Sequence, residues 1–77
     1  MRKIKFKNRN FILVGGALTT EDDYKEGIVS YAHLMDDGTI MRYGKVIGKK
    51  EDIEFGEEIE NITPNKDAFF NLLNLNL

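Results

Sequence analysis

The chain has 77 residues, a formal net charge of −2 and no cysteine, which excludes disulfides, thiolate metal sites and cysteine nucleophiles. Its hydrophobic content of 42% and charged content of 31% are typical of a folded soluble chain, and its length predicts a single domain over 1–77. No apolar run approaches the roughly 18 residues that a membrane-spanning helix needs, and no signal peptide is evident, so we expect a cytoplasmic protein without a membrane partner.

The N-terminal segment predicts two strands. Residues 3–7 alternate basic and apolar side chains, with Ile4 and Phe6 on one side, as in a half-buried strand. Residues 11–14 form a continuous apolar run, and the pair Gly15-Gly16 interrupts it. We expect the two strands to pair as an antiparallel hairpin.

Residues 17–27 predict a short helix or an ordered loop. Thr20 suits the N-cap, and Asp23, three residues on, suits the capping position. Gly27 suits the left-handed position that follows a helix. Only about two turns fit between these signals, so both interpretations stay open.

The two longest predicted strands are 28–35 and 39–48, and the Asp-Asp-Gly sequence at 36–38 joins them. Two turn geometries are open. In the first geometry, Asp37 and Gly38 form a two-residue type I′ turn. In the other, the two aspartates occupy the centre of a type I turn and Gly38 adopts the left-handed conformation of a bulge. The two geometries differ by one residue in strand pairing, which exchanges the faces of the sheet.

We favour the bulged turn because it separates an aliphatic face from a polar aromatic face. It predicts that Tyr31 lies opposite Tyr43 and that His33 lies opposite Met41. The exposed platform expected on this face consists of Tyr31, His33, Tyr43 and Lys45. The alternative is that a second layer covers the two tyrosines and makes them part of the core.

The other face of the same hairpin is predicted to supply core residues. Its aliphatic members are Ile28, Leu34, Ile40 and Val46. Arg42 is the exception on this face, and it fits there only near an open end or with its charged head extended to water.

The C-terminal third predicts one more strand and a helix. Ile53 and Phe55 alternate with acidic side chains, as in a short strand. Thr63 and Pro64 suit the N-cap and first position of a helix over 64–75. The predicted fold is therefore α+β: about five mainly antiparallel strands in a strongly bent sheet or half-open barrel, with one C-terminal helix. The apolar surplus of that helix would close the barrel or, alternatively, bind a second copy of the chain.

Opposite charges are concentrated in two segments. Residues 1–10 contain five basic and no acidic side chains, and residues 51–60 contain six acidic and no basic ones. We expect these segments to lie side by side and to neutralise each other across the sheet. The alternative is that the basic segment contacts nucleic acid or another anionic partner.

No arrangement of residues indicates catalysis. Ser30 and His33 are an odd number of residues apart on one predicted strand, so their side chains point to opposite faces and cannot form a dyad. His33 is the only histidine, and the aspartate pairs at 22–23 and 36–37 lack the spacing of a calcium loop. We therefore expect no enzyme activity, metal or cofactor.

The leading hypothesis is a non-catalytic protein-binding module, such as a small inhibitor or adaptor. Its predicted partner-binding residues are Tyr31, His33, Tyr43, Lys45, Glu54, Glu57 and Glu58. The alternative is a single-stranded nucleic-acid-binding module, in which the two tyrosines stack on bases. The residues expected to contact phosphates in that case are Lys3, Lys5, Lys7 and Arg9.

Overall fold

Seven short strands, joined mostly by tight turns, make one antiparallel sheet in the computed structural model, which describes residues 1–60 and 62. The elements in chain order are β1 (Arg2–Phe6), β2 (Arg9–Val14), β3 (Ala17–Thr19), α1 (Glu21–Glu26), β4 (Ala32–Leu34), β5 (Thr39–Arg42), β6 (Lys45–Lys49), a 3₁₀ turn (Lys50–Asp52) and β7 (Ile53–Glu58). Across the sheet the strand order is β6-β5-β4-β3-β2-β1-β7.

The prediction of about five strands with a C-terminal helix is wrong. The sheet has seven strands, and the helix found in the described residues is α1, in the first half of the chain. Residues 17–19 form β3 instead of joining the helix, and the predicted strand over 39–48 divides into β5 and β6. The helix expected over 64–75, and the contact with a second copy expected from it, lie outside the described residues.

Three of the hairpins are closed by two-residue turns whose central residues all have positive φ. These turns are Lys7-Asn8, Gly15-Gly16 and Tyr43-Gly44, with φ between 51° and 89°. Positive φ at both central positions is the type I′ geometry, whose twist matches that of the flanking strands. Lys7 and Tyr43 have no intrinsic preference for this conformation, so at the turn that divides 39–48 only Gly44 is typical of the type I′ geometry.

Helix α1 has the caps that the sequence predicted. The Thr20 side chain accepts a hydrogen bond from the Asp23 backbone N–H at 3.1 Å. Gly27 ends the helix in the left-handed conformation, with φ of 72°. The helix begins at Glu21, since the residues before the cap belong to β3.

The hairpin between β4 and β5 has the bulged register that we favoured. His33 pairs with Met41, and the Gly38 N–H donates to the Met35 carbonyl at 3.0 Å. Gly38 has φ of 88°, as the left-handed position of the bulge requires. The Met35 N–H donates in turn to the Thr39 carbonyl at 2.8 Å, which confirms the pairing next to the turn.

The core lies on the inner face of the curled sheet, and six strands contribute to it. Its buried apolar residues are Ile4, Phe6, Phe11, Leu18, Ala32, Ile40 and Ile53. Gly48 in edge strand β6 lies so close to Phe6 in β1 that an added Cβ would be 2.7 Å from the ring. The sheet therefore curls into a half-barrel, and the 3₁₀ turn connects its two edge strands, β6 and β7.

Two residues predicted for the core are exposed. Ile28 follows the cap at Gly27 and precedes β4, so strand alternation does not determine its orientation, and it is 56% exposed. Val46 is 58% exposed because the Tyr43-Gly44 turn pairs it with Met41, whose side chain lies on the outer face. Strand alternation then points the next residue, Ile47, toward the core.

Candidate binding surfaces

Strands β1 and β7 bring the two oppositely charged segments side by side. They pair in antiparallel register with Arg2 opposite Glu58. Arg2 Nη2 lies 3.0 Å from Glu58 Oε2, and Lys3 Nζ lies 3.4 Å from Glu57 Oε1. The expected neutralisation of the two segments across the sheet is thus confirmed.

This pairing changes the surface that the N-terminal basic residues offer. Lys5 lies directly opposite Glu54, and Lys3 is engaged by Glu57. Lys7, at the β1–β2 turn, has its Nζ 5.5 Å from the centre of the Phe6 ring and lines a surface pocket with Lys5, Asp52 and Glu54. The N-terminal basic residues therefore do not form one continuous positive surface.

The structure places the two tyrosines of the predicted platform in different environments. Tyr31 is half-buried and packs against the core residue Phe11, with ring centroids 5.1 Å apart. Tyr43, in the β5–β6 turn, is 88% exposed. Tyr31 precedes the first residue of β4, so the alternation that would have placed it beside His33 does not hold there.

Two arginines nevertheless connect these tyrosines. The Arg42 guanidinium carbon lies 4.3 Å from the centre of the Tyr31 ring and 4.7 Å from that of Tyr43. The Arg9 guanidinium carbon lies 4.9 Å from the Tyr31 ring and 5.1 Å from Phe11. We call Arg9, Phe11, Tyr31, Arg42 and Tyr43 the Arg–Tyr cluster.

The Arg–Tyr cluster carries two positive charges, on Arg9 and Arg42. Arg42 Nε donates a hydrogen bond to the Tyr31 carbonyl at 3.1 Å, which holds its side chain over the ring. Lys45 adds a third cation, since it pairs with Arg42 across the Tyr43-Gly44 turn. Among residues 1–60 and 62, no carboxylate forms an ion pair with any of these three cations.

His33 lies on the opposite, outer face of the sheet, in an uncharged row that crosses five strands. Cross-strand pairing sets the members of this outer-face row next to one another in the order Val46, Met41, His33, Ala17 and Val14. A groove of about 430 Å³ runs beside the row, lined by the Gly15-Gly16 turn and by residues that include His33, Met35, Asp36, Met41 and Tyr43. His33 and Tyr31 therefore belong to different surfaces.

Several residues of these surfaces were missed as site candidates, among them Met41, Val46 and Arg42. Met41 was placed opposite His33 but not among the site residues, and Val46 was assigned to the core because residues 39–48 were predicted as one strand. Arg42 did give a sequence signal, since it was the only charged residue on the predicted aliphatic face. It lies where the inner face opens to water and stacks on two rings there.

No protein-family model matches the chain, and no curated protein or solved structure matches it significantly. In the described part of the chain, no three metal-ligating side chains come together as a metal site would require. No helix within the same residues has the length and apolar character for crossing a bilayer.

Proposed function

We propose that this protein is a non-catalytic protein-binding module whose partner docks on the outer-face row. The observation that carries the proposal is the row itself, since apolar side chains in register line the outside of the sheet, half-buried at Val14, Ala17 and Met41 and exposed at Val46. Val46 is 58% exposed and Tyr43, at the end of the groove, is 88% exposed. Exposed apolar surface of this kind is typical of interaction sites.

The chemistry of the row indicates which partner groups it accepts. The groove has room for apolar side chains of a partner, and Met35 and Met41 can adjust their unbranched side chains to different shapes. Tyr43 offers a large ring with a polar tip, the residue type that most often anchors an interface. The proposed partner is therefore a protein that inserts apolar side chains beside His33.

The acidic residues of β7 play a smaller part in this proposal than the sequence suggested. Glu57 and Glu58 are engaged with β1, and Glu54 lies opposite Lys5. The pairing with β1 therefore leaves these carboxylates less available to a partner. A cytoplasmic location remains part of the proposal.

Nucleic-acid binding along β1 has less support. Lys3 and Lys5 both face acidic residues of β7, so a phosphate backbone along this strand would meet carboxylates as well as ammonium groups. The charge pattern that would attract a polyanion is thus cancelled locally.

The test is a charge placed in the outer-face row. We expect Val46→Glu to weaken binding of a partner isolated from the native host by more than about tenfold, since docking would bury an unpaired carboxylate. The measurement is calorimetric titration with the purified partner. The matched control is Val29→Glu, because Val29 is also exposed, at 84%, but lies in the loop between α1 and β4.

Equal affinity of Val46→Glu and wild type would overturn the proposal. So would an equal loss in Val29→Glu, because the effect would then follow net charge and not the row. Circular dichroism of both variants establishes that the fold is retained.

A further inference from the structure

We infer that the Arg–Tyr cluster, together with Lys45, binds single-stranded nucleic acid, with a base stacked on Tyr43 and the adjoining phosphates held by the arginines. This site is distinct from the outer-face row, although Tyr43 borders both. It is also distinct from the β1 surface, because Arg9 is the only one of the N-terminal basic residues that it uses.

The first support is the convergence of two guanidinium groups on one ring. Arg42 and Arg9 lie 4.3 Å and 4.9 Å from the centre of Tyr31, so their separation cannot exceed the sum of these distances. No described carboxylate neutralises either one. A single guanidinium can donate two parallel hydrogen bonds to a phosphate, so two arginines around one ring can each hold a phosphate of a phosphodiester chain.

The second support is that Arg42 is held in place before any ligand arrives. Its Nε donates to the Tyr31 carbonyl at 3.1 Å, and its guanidinium contacts the rings of Tyr31 and Tyr43. Within the described residues, the Arg42 side chain donates through Nε, and no hydrogen bond from its two Nη atoms is found. A positioned side chain loses little conformational entropy when it binds phosphate.

The third support is the Tyr43 ring, which the turn extends into water beside these cations. Tyr43 is 88% exposed, and the Arg42 guanidinium lies 4.7 Å from its centre. Stacking on an exposed aromatic ring is how many proteins bind unpaired bases without sequence preference. Lys45, on the other side of the same turn, adds a cation within reach of the backbone.

The ring decides between nucleic acid and an acidic peptide. Carboxylates would bind the two arginines equally well, but they would not use an open aromatic face next to the positive charge. A nucleotide uses both features at once, through its base and its phosphate. We therefore assign single-stranded nucleic acid and treat the acidic peptide as an outcome of the test.

The experiment is a fluorescence anisotropy titration of the full chain against a labelled oligothymidylate of about ten nucleotides. We expect binding at low salt, with a slope of log K against log salt of about −2, since three cations release about 0.7 counterions each. An abasic oligonucleotide of equal length should bind more weakly, because it keeps the phosphates and lacks the bases.

Variants assign the binding to the Arg–Tyr cluster. Arg42→Gln and Tyr43→Asn should each lower the affinity by about tenfold or more, the loss of one well-formed contact. Asn suits the positive φ of position 43, so the turn is preserved while the ring is removed. If Arg42→Gln does not fold, Arg42→Lys keeps the charge without paired donors and should lower the affinity less.

Two matched controls should bind as wild type does: Lys3→Gln, which removes a cation from β1, and Met41→Ser, which alters the outer-face row. Absence of binding at low salt overturns the inference, as does wild-type affinity in Arg42→Gln. Displacement of the oligonucleotide by polyglutamate at equal charge would identify an acidic-peptide site and also overturn it. None of these results depends on the partner protein, so failure here leaves the proposed function standing, and the reverse holds too.

Discussion

At the scale of single residues, Tyr43 combines a backbone conformation that the turn requires with a side chain that the turn does not require. Its φ of 52° is rare for an aromatic residue, and glycine or asparagine would satisfy the turn better. Its ring is almost fully in water, so packing does not compensate for the conformation. An exposed ring kept at a conformational cost is best understood through what it binds.

Asp37 predicts a pH dependence that can be assigned to one residue. Its Oδ1 accepts hydrogen bonds from Thr39 Oγ at 2.6 Å and from the Thr39 N–H at 3.0 Å. These two bonds, the hydroxyl one above all, hold the pKa of the Asp37 carboxyl below its ordinary value. A carboxyl with a lowered folded pKa stabilises the protein fully above its unfolded pKa, about 4, and loses that contribution as pH falls through the folded value.

We therefore expect Asp37→Asn to be less stable than wild type at neutral pH and to approach it in acid. Thermal melts of both proteins at a series of pH values measure the difference. A difference in melting temperature that stays constant down to the lowest pH would show that the carboxylate charge is not responsible.

At the scale of elements, the pairing of β1 with β7 determines what the charged segments do. Each segment alone is strongly charged, and their registry joins Lys3 to Glu57 and Arg2 to Glu58. All four side chains are well exposed, so each ion pair contributes about 0–1 kcal/mol and salt screens it. The pairing acts mainly by removing free charge from the strand edge.

Charge reversal tests this pairing. Glu57→Lys should lower the free energy of unfolding by about 0.5 kcal/mol at low salt, because two like charges then face each other. The double variant Lys3→Glu with Glu57→Lys should recover most of the loss. Urea denaturation at low and high salt measures the free energy of unfolding of wild type, of the two single variants and of the double variant, the four values of a double-mutant cycle. A double variant no more stable than Glu57→Lys would show that the two residues are not coupled.

At the scale of the whole molecule, the curl of the sheet holds its two edges together and leaves two surfaces outside the core. The inner face is closed where Gly48 meets Phe6, while the outer face carries the uncharged row. The Arg–Tyr cluster lies where the ends of β2 and β5 approach Tyr31. The net charge of −2 is the sum of these regions and describes none of them.

The curl predicts the effect of a single methyl group. Gly48→Ala would place a Cβ 2.7 Å from the ring of Phe6, which is only 1% exposed and belongs to the core. We expect the free energy of unfolding to fall by about 1–3 kcal/mol, the usual cost of overpacking a core. Chemical denaturation measures it. Val46→Ala in the same strand is the control and should change stability by no more than about 0.5 kcal/mol; equal losses would show that the close contact does not limit the fold.

The sequence by itself determined the features that depend on neighbouring residues. The caps of α1 at Thr20 and Gly27 follow from side chains within a few positions of the helix ends, and the bulged turn follows from Gly38 after two aspartates. The complementary charges of residues 1–10 and 51–60 were sufficient to predict their contact, because each segment alone would leave like charges unpaired.

Only the tertiary structure decided the number of strands and the composition of both surfaces. The chain turns at Tyr43-Gly44, where only Gly44 is typical of the turn, and the turn sends Val46 outward and Ile47 inward. Tyr31 meets Arg9 and Arg42 only because the curled sheet brings β2 and β5 to the same end. These contacts join residues far apart in the chain, so their energies depend on a packing geometry that no local pattern specifies.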